Sequence, residues 1–439
     1  MNAINYQENI IYQIYPLGAC DALKGGDESE HKILKLMDYV PHLKKLGITT
    51  VLLNPMWQCD YHGYDTSDFY KVDKRLGTNE DLKKVCDEFN KEGISIVFDG
   101  VFNHVGRNFF AFLDVKENKW DSKYKNWFNI SFDGNSNYND GFWYEGWEGH
   151  FELVKLNLCD PELKKYIFDV VKFWIDTYGI KGLRLDVAYC LNLDFLRELR
   201  QYVDGMDDNF ILIGETLQGD YNKWMNENAC KSVTNYECYK GLYSSFNSKN
   251  LFEIAHSLNR QFSDEPWSVY KGKTMLSFLD NHDVTRIMSI LENKNLITVL
   301  YGLMIGMPGV PCIYYGSEWG VLGEKKDGDE ALRPYIEKCE WNDLTSQIKK
   351  FIDARKESNA IKYGSFKNVL ITNEQLIFER KVEDERVIIA LNISDNEYTA
   401  HFDAKSGTAI DLITGEKHDF GGGSILPPYS IFYWKTEMA

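Results

Sequence analysis

The chain has 439 residues, room for about three domains at a soft prior of about 150 each, although one α/β barrel can absorb most of that length. With 44% hydrophobic, 26% charged and 14% aromatic residues the composition is globular, which excludes disorder and collagen-like repeats. The 49 Lys and Arg against 66 Asp and Glu leave a net charge of −17, which disfavours nucleic acid or an anionic membrane as partner and suits a neutral ligand.

In chain order, branched and aromatic runs alternate with helix-periodic segments. The pattern predicts strands at 10–15, 49–53, 95–98, 182–185, 210–213, 232–236, 274–278 and 310–314. It predicts helices at 31–46, 79–92, 162–178, 193–203, 250–262, 284–293 and 345–356, with the weakest helical signal after the fifth strand. Eight strands with helices between them predict an α/β fold, a (β/α)8 TIM barrel whose chemistry sits at the C-terminal strand ends. Residues 105–155 lack a helical period and are rich in aromatics, Asn and Gly, so an inserted domain after strand 3 is expected there, dividing the barrel into 1–104 and 156–357. From 358 to 439, short alternating segments predict a C-terminal antiparallel β-sandwich domain. The uncharged stretch 296–317 reaches membrane-spanning length, but Pro308-Gly309 and Pro311 break it into an expected buried helix, turn and strand. Nine cysteines without paired spacing read as reduced thiols, and residues 1–9 carry no secretory pattern, so a cytoplasmic location is expected.

The strand ends carry the polar groups. Strand 3 runs into Asp99, Asn103 and His104, strand 4 into Arg184-Leu185-Asp186, strand 5 into Gly214-Glu215, and strand 7 into His282-Asp283. One Asp at a strand end is more often a helix cap, but three carboxylates, Asp186, Glu215 and Asp283, converging on one barrel mouth suit glycoside hydrolysis. That chemistry needs unequal acidities. Arg184 shares a strand face with Asp186 and is expected to keep it ionised as a nucleophile. Glu215 has no basic neighbour in sequence and follows an apolar run, which favours a raised pKa and an acid role. There is no HExxH or GxGxxG, and Gly272-Lys273-Thr274 lacks the first glycine of a phosphate loop because Trp267 stands there.

Residues 98–104, 182–188, 214–215 and 278–283 resemble, in order and spacing, the four signature motifs of the α-amylase family, glycoside hydrolase family 13. Further likeness lies at 11–16, 62–65, 154–157 and 309–316. The resemblance implies retaining cleavage of α-glucosidic bonds with Asp186 as nucleophile, Glu215 as acid then base, and Asp283 holding sugar hydroxyls. It implies that Arg184 steadies the nucleophile, His104 and His282 hydrogen-bond the sugar, Tyr64 stacks on it beside His62, and Asp99 organises the site from below. The run 142–147 offers either stacking platforms or the insertion's own core.

Within the family, Asp186-Val187-Ala188, Leu156-Asn157 and 62–65 look most like the neopullulanase and cyclomaltodextrinase branch, which acts on short maltodextrins and sometimes on α-1,6 bonds. Tyr189-Cys190 replaces the Lys-His of many α-amylases, which argues against long-polymer endo-action. That branch's N-terminal β domain is not expected here, since the first strand begins by about Ile10, and a monomer is expected. The expected activity is hydrolysis of α-1,4-glucosidic bonds in maltooligosaccharides with some α-1,6 action, and the alternative is glucosyl transfer through the same covalent intermediate. No cofactor is expected for the chemistry. The resemblance leaves a structural calcium open, with Asn103 as one ligand beside acidic groups of the insertion and the Cys190 carbonyl.

Overall fold

The computed structural model of the protein describes residues 5–436; the first four residues, part of the segment read for a leader, and the last three lie outside the described residues. Eight parallel strands form one sheet: β1 (Ile11–Ile14), β2 (Thr50–Leu53), β3 (Ser95–Gly100), β4 (Gly182–Leu185), β5 (Ile211–Gly214), β6 (Ser232–Val233), β7 (Leu276–Phe278) and β8 (Val310–Tyr314). Their order is β6-β5-β4-β3-β2-β1-β8-β7, and a parallel bridge between Thr234 and Leu276 joins the two edges into a barrel.

The alternation of the strands explains both its core and its mouth. Tyr12, Val51, Phe98, Leu183 and Leu212 point outward onto the helices and belong to the main core. Ile11, Leu52, Val97, Ile213 and Phe278 point inward and form a separate core inside the barrel. Two residues further along the inward face the side chains turn polar. Ile11 is followed by Gln13, Leu52 by Asn54, Val97 by Asp99, and Ile213 by Glu215, all of them buried. The sequence thus closes the barrel bottom with apolar groups and reserves the C-terminal layer for chemistry.

Helices α1 (Tyr39–Leu46), α2 (Asn79–Lys91), α3 (Pro161–Tyr178), α4 (Leu193–Asp204), α5 (Tyr236–Asn247), α6 (Phe252–Phe262), α7 (Ile297–Gly306) and α8 (Asp343–Glu357) are the longer barrel helices. Trp174 of α3 stacks on Trp57 at 4.7 Å and 4°, and its indole N–H donates to the Phe69 carbonyl at 3.0 Å. The stretch 296–317 resolves into α7, a turn and β8. The turn needs Gly309 (φ +124°), where a Cβ would stand 2.4 Å from Ser277 Oγ. Among the described residues, no helix is long and apolar enough to cross a membrane.

Three expectations need correction. The helix expected at 31–46 is 3-10 over Lys32–Asp38 before α1 begins. The segment 232–236 is a strand only to Val233, since Asn235 accepts the Cys238 N–H and caps α5, whose first residue, Tyr236, had read as the end of the strand. The helix expected at 284–293 shrinks to Ile287–Ile290, because buried Asp280 accepts the Ile287 N–H at 2.7 Å and fixes the chain in a turn before it.

The insertion contains a helix, Phe110–Asn118, that its period concealed because Phe110 and Leu113 are 40% and 42% exposed while Phe112 is buried. It also holds an antiparallel sheet of His104–Gly106, His150–Lys155 and Gly146–Trp147. Beyond α8, the chain forms a six-stranded antiparallel sheet of β9 (Ser365–Ile371), β10 (Gln375–Lys381), β11 (Arg386–Asn392), β12 (Thr408–Asp411), β13 (Lys417–Asp419) and β14 (Ser430–Thr436). Its order is β9-β10-β11-β14-β12-β13, with a two-stranded partner of Tyr398–Ala400 and Ser424–Leu426.

Candidate active site

A cavity of about 600 Å³ opens at the C-terminal end of the barrel under the insertion. Asp186, Glu215, Asp283, Tyr64, His62 and His104 all line it. Arg184, Asp99 and His282 are absent from the wall; each is nearly fully buried and lies in the layer beneath.

One guanidinium organises that layer. Arg184 Nη1 donates to both oxygens of Asp99 and to Asp186 Oδ1, all at 2.8 Å, and Nη2 stands 2.7 Å from Glu215 Oε1. The Asp99 carboxylate also accepts from Asn54 Nδ2 at 3.0 Å and from the Tyr64 hydroxyl at 3.1 Å. The sequence argument that Arg184 serves Asp186 and leaves Glu215 without a cation is therefore corrected. Glu215 lies one strand away in sequence but on the same fork in space.

Burial pushes Asp186 well above the usual carboxylate range; Arg184 pulls it down, and Glu215, Asp99 and Asp283 add to the rise. Arg184, tied to its carboxylates, stays charged despite burial. Three carboxylates around one guanidinium leave an excess of negative charge, which favours retention of a proton in the cluster. Asp283 differs. Its side chain is 37% exposed at the cavity edge, with Oδ2 2.9 Å from His282 Nε2 and Oδ1 3.1 Å from Arg333 Nη2. Burial opposes its ionisation, but His282 and Arg333 hold it well below the usual range.

The two histidines expected to face the sugar have different surroundings. His104 is pushed down to about 3 by burial and by the nearby His62, so it is neutral. Its Nδ1 meets the Asn103 amide nitrogen at 3.1 Å, while its Nε2 has no partner and sits 3.9 Å from Asp186 Oδ2. His282 has both nitrogens occupied, with Nδ1 3.1 Å from Gln13 Nε2 and Nε2 against the Tyr64 hydroxyl and Asp283. Its ring stacks with Tyr64 at 5.5 Å and 8°. Tyr64 is carried on a loop ordered by Asp65, which accepts the backbone N–H groups of Asp60, Tyr61 and His62.

Several cavity residues carried no signal in the sequence. Arg333 comes from the long connection after β8, donates to the His282 carbonyl at 3.1 Å and pairs with Asp329 at 3.2 Å. Leu217, Tyr189, Tyr236 and Val284 form an apolar rim beside Glu215 and Asp283. In the run 142–147 the two readings divide by residue: Phe142 and Tyr144 are fully buried in the insertion, whereas Trp147 lines the cavity 5.7 Å from the His104 ring.

Asn103, the expected calcium ligand, is buried and directs its amide at His104. Among the described residues no three His, Cys, Asp or Glu side chains converge in a way that could hold a metal ion, so the side chains present do not fit the acidic part of a calcium site.

An acid cluster at the mouth of an eight-stranded barrel, roofed by an insertion after strand 3 and followed by an antiparallel β domain, defines a barrel glycoside hydrolase. Residues 13–362 match the family model described as alpha amylase, catalytic domain, and the chain belongs to that family. It is 28% identical over 418 residues to a cyclomaltodextrinase of Geobacillus thermopakistaniensis, covering 92% of this chain and 70% of the relative. It is 30% identical over 411 residues to neopullulanase 2 of Thermoactinomyces vulgaris, covering 90% of this chain and 68% of the relative. The ligand-free cyclic α-maltosyl-(1→6)-maltose hydrolase of Arthrobacter globiformis superimposes with a TM-score of 0.84 at 25% identity, covering 98% of this chain and 99% of that one.

Proposed function

We propose that the protein is a retaining hydrolase of α-1,4-glucosidic bonds in maltooligosaccharides and cyclic maltodextrins, with some action on α-1,6 bonds. The observation that carries the mechanism is the shared fork: Asp186 and Glu215 are held by the two ends of the Arg184 guanidinium. This suits the separation of about 5–5.5 Å of a retaining pair better than the about 6.5–9.5 Å that an inverting enzyme leaves for its water. Asp186 attacks the anomeric carbon while Glu215 protonates the departing glycosidic oxygen; Glu215 then deprotonates the water that hydrolyses the glycosyl ester on Asp186. Asp283, ionised by His282 and Arg333, accepts hydrogen bonds from hydroxyls of the distorted ring. The unpartnered Nε2 of neutral His104 offers that ring a donor, and the face of Tyr64 receives it.

Residues 105–155 act as a roof domain, contributing Trp147, Glu148 and His150 to the substrate side of the cavity. Nine cysteines, none in a disulfide, suit a reducing cytoplasm, and the working unit is a monomer that needs no cofactor. Glucosyl transfer is the less favoured outcome, since the similar Arthrobacter globiformis enzyme is a hydrolase. The test is chromatography of products from maltoheptaose, a cyclodextrin, pullulan, panose and starch incubated separately with the purified protein. Short maltooligosaccharides from the first two with little starch conversion are expected; no hydrolysis of any of the five contradicts the proposal, and elongated products would favour transfer.

A further inference from the structure

Nine described non-glycine residues have positive φ, and Val187 (φ +38°, ψ +48°) is the one among them that is β-branched. A β-branched side chain in the left-handed region is a genuine outlier, and such strain persists only where the surroundings enforce it. Val187 is 6% exposed and directly follows Asp186. It is held from both sides: its carbonyl accepts the Cys190 N–H at 2.7 Å, and its own N–H donates to Glu215 Oε2 at 3.0 Å. With Arg184 on Oε1, both oxygens of Glu215 therefore meet a fixed donor.

We propose that Val187 is a positioning residue for Glu215: its turn, held in a strained conformation by its surroundings, fixes the Asp186–Val187 peptide so that its N–H aims the Glu215 carboxyl. This rests on the reading of Glu215 as acid and base. A group that gives a proton in one half-reaction and takes one from water in the other must keep its reacting oxygen within hydrogen-bond reach of both, and a fixed donor on the other oxygen does that. Arg184, Asp186, Tyr189 and Tyr236 also face Glu215, from β4, the turn after it and the start of α5. Of these donors and charges only the Val187 N–H belongs to a backbone that a side-chain substitution can loosen without removing a charge.

The test compares Val187→Ala with Val187→Gly on maltoheptaose or a chromogenic maltoside. Both remove the γ-methyls from the cavity wall, but only glycine frees the backbone. Relative to the alanine variant, glycine is expected to lower kcat about tenfold with KM little changed. The melting temperature is expected to hold or rise, so the loss is not one of folding. Equal kcat for the two variants, or a loss carried by KM, overturns the proposal. Glu215→Gln keeps the two failures apart: if that variant stays fully active the acid assignment is wrong, whereas an inactive Gln variant with indistinguishable Ala and Gly variants removes only the role of Val187.

Discussion

At the scale of the residue, the site places its acids at the expense of stability. Burial and three neighbouring carboxylates work against the ionisation of Asp186, and Arg184 offsets only part of this. Its pKa is thus raised above the unfolded value, so the site is most stable when Asp186 is protonated and loses that stability as pH rises through the raised pKa. Asp186→Asn is accordingly expected to abolish turnover, by about a thousandfold or more, and to raise the melting temperature at pH 7 by about 2 °C, with the gain shrinking toward acid pH. Scanning calorimetry across pH checks this; a lower melting temperature at every pH would contradict it. The same electrostatics sets the acidic limb of kcat/KM. As the proposed nucleophile, Asp186 has to be ionised to attack, so activity is expected to fall as pH drops through a pKa above the ordinary Asp value of about 3.9. Asp99→Asn removes a negative neighbour and frees donors of Arg184, so the limb is expected to move to lower pH; an upward move would show that Asp99 does not compete for the guanidinium. Little of this was legible in sequence. The Arg184-Leu185-Asp186 spacing revealed one contact, but Glu215 and Asp99 reach the same fork only through strand adjacency, which spacing along the chain does not encode.

At the scale of the element, the barrel and the β domain are locked through the C-terminus of α7. Arg355 of α8 donates to the carbonyls of Ile305 and Gly309 at 3.0 and 2.6 Å, and Arg380 of β10 donates to those of Gly306 and Gly364 at 3.0 and 2.8 Å. Tyr433 of β14 bonds the Gly302 carbonyl. Both arginines are buried and, among the described residues, have no carboxylate partner; their charge meets the negative end of the helix dipole. Arg380→Met leaves several buried carbonyls unsatisfied and is expected to destabilise by about 2–4 kcal/mol with KM unchanged, read from urea unfolding. A loss below about 0.5 kcal/mol would mean the cap is dispensable. Short runs buried on both faces, such as Gly182–Leu185 and Val310–Tyr314, were legible to the residue. Two of the three misread elements are those in which a buried polar cap, Asn235 or Asp280, decides where the helix starts; the third is the 3-10 segment Lys32–Asp38.

At the scale of the whole molecule, three cores divide the labour: an outer one between strands and helices, a small one inside the barrel that ends where the polar layer begins, and one within the C-terminal β domain around Ile377, Ile388 and Trp434. The alternation of βα units made this architecture readable from sequence, as it did the insertion and the β domain, because each imposes its own period. What covers the mouth was not readable, since Arg333, Leu217 and Tyr189 arrive from connections with no pattern. Since among the described residues no group of side chains is arranged to hold a metal ion, chelation by EDTA is expected to leave the melting temperature and activity unchanged; a fall of several degrees reversed by calcium would contradict that account. The central claim is the covalent intermediate on Asp186. Its most direct measurement is mass spectrometry of Glu215→Gln after reaction with a 5-fluoro-α-glucosyl or α-maltosyl fluoride. The account predicts a single glycosyl adduct on the peptide carrying Asp186; an adduct on another carboxylate, or none despite consumption of the fluoride, would contradict it.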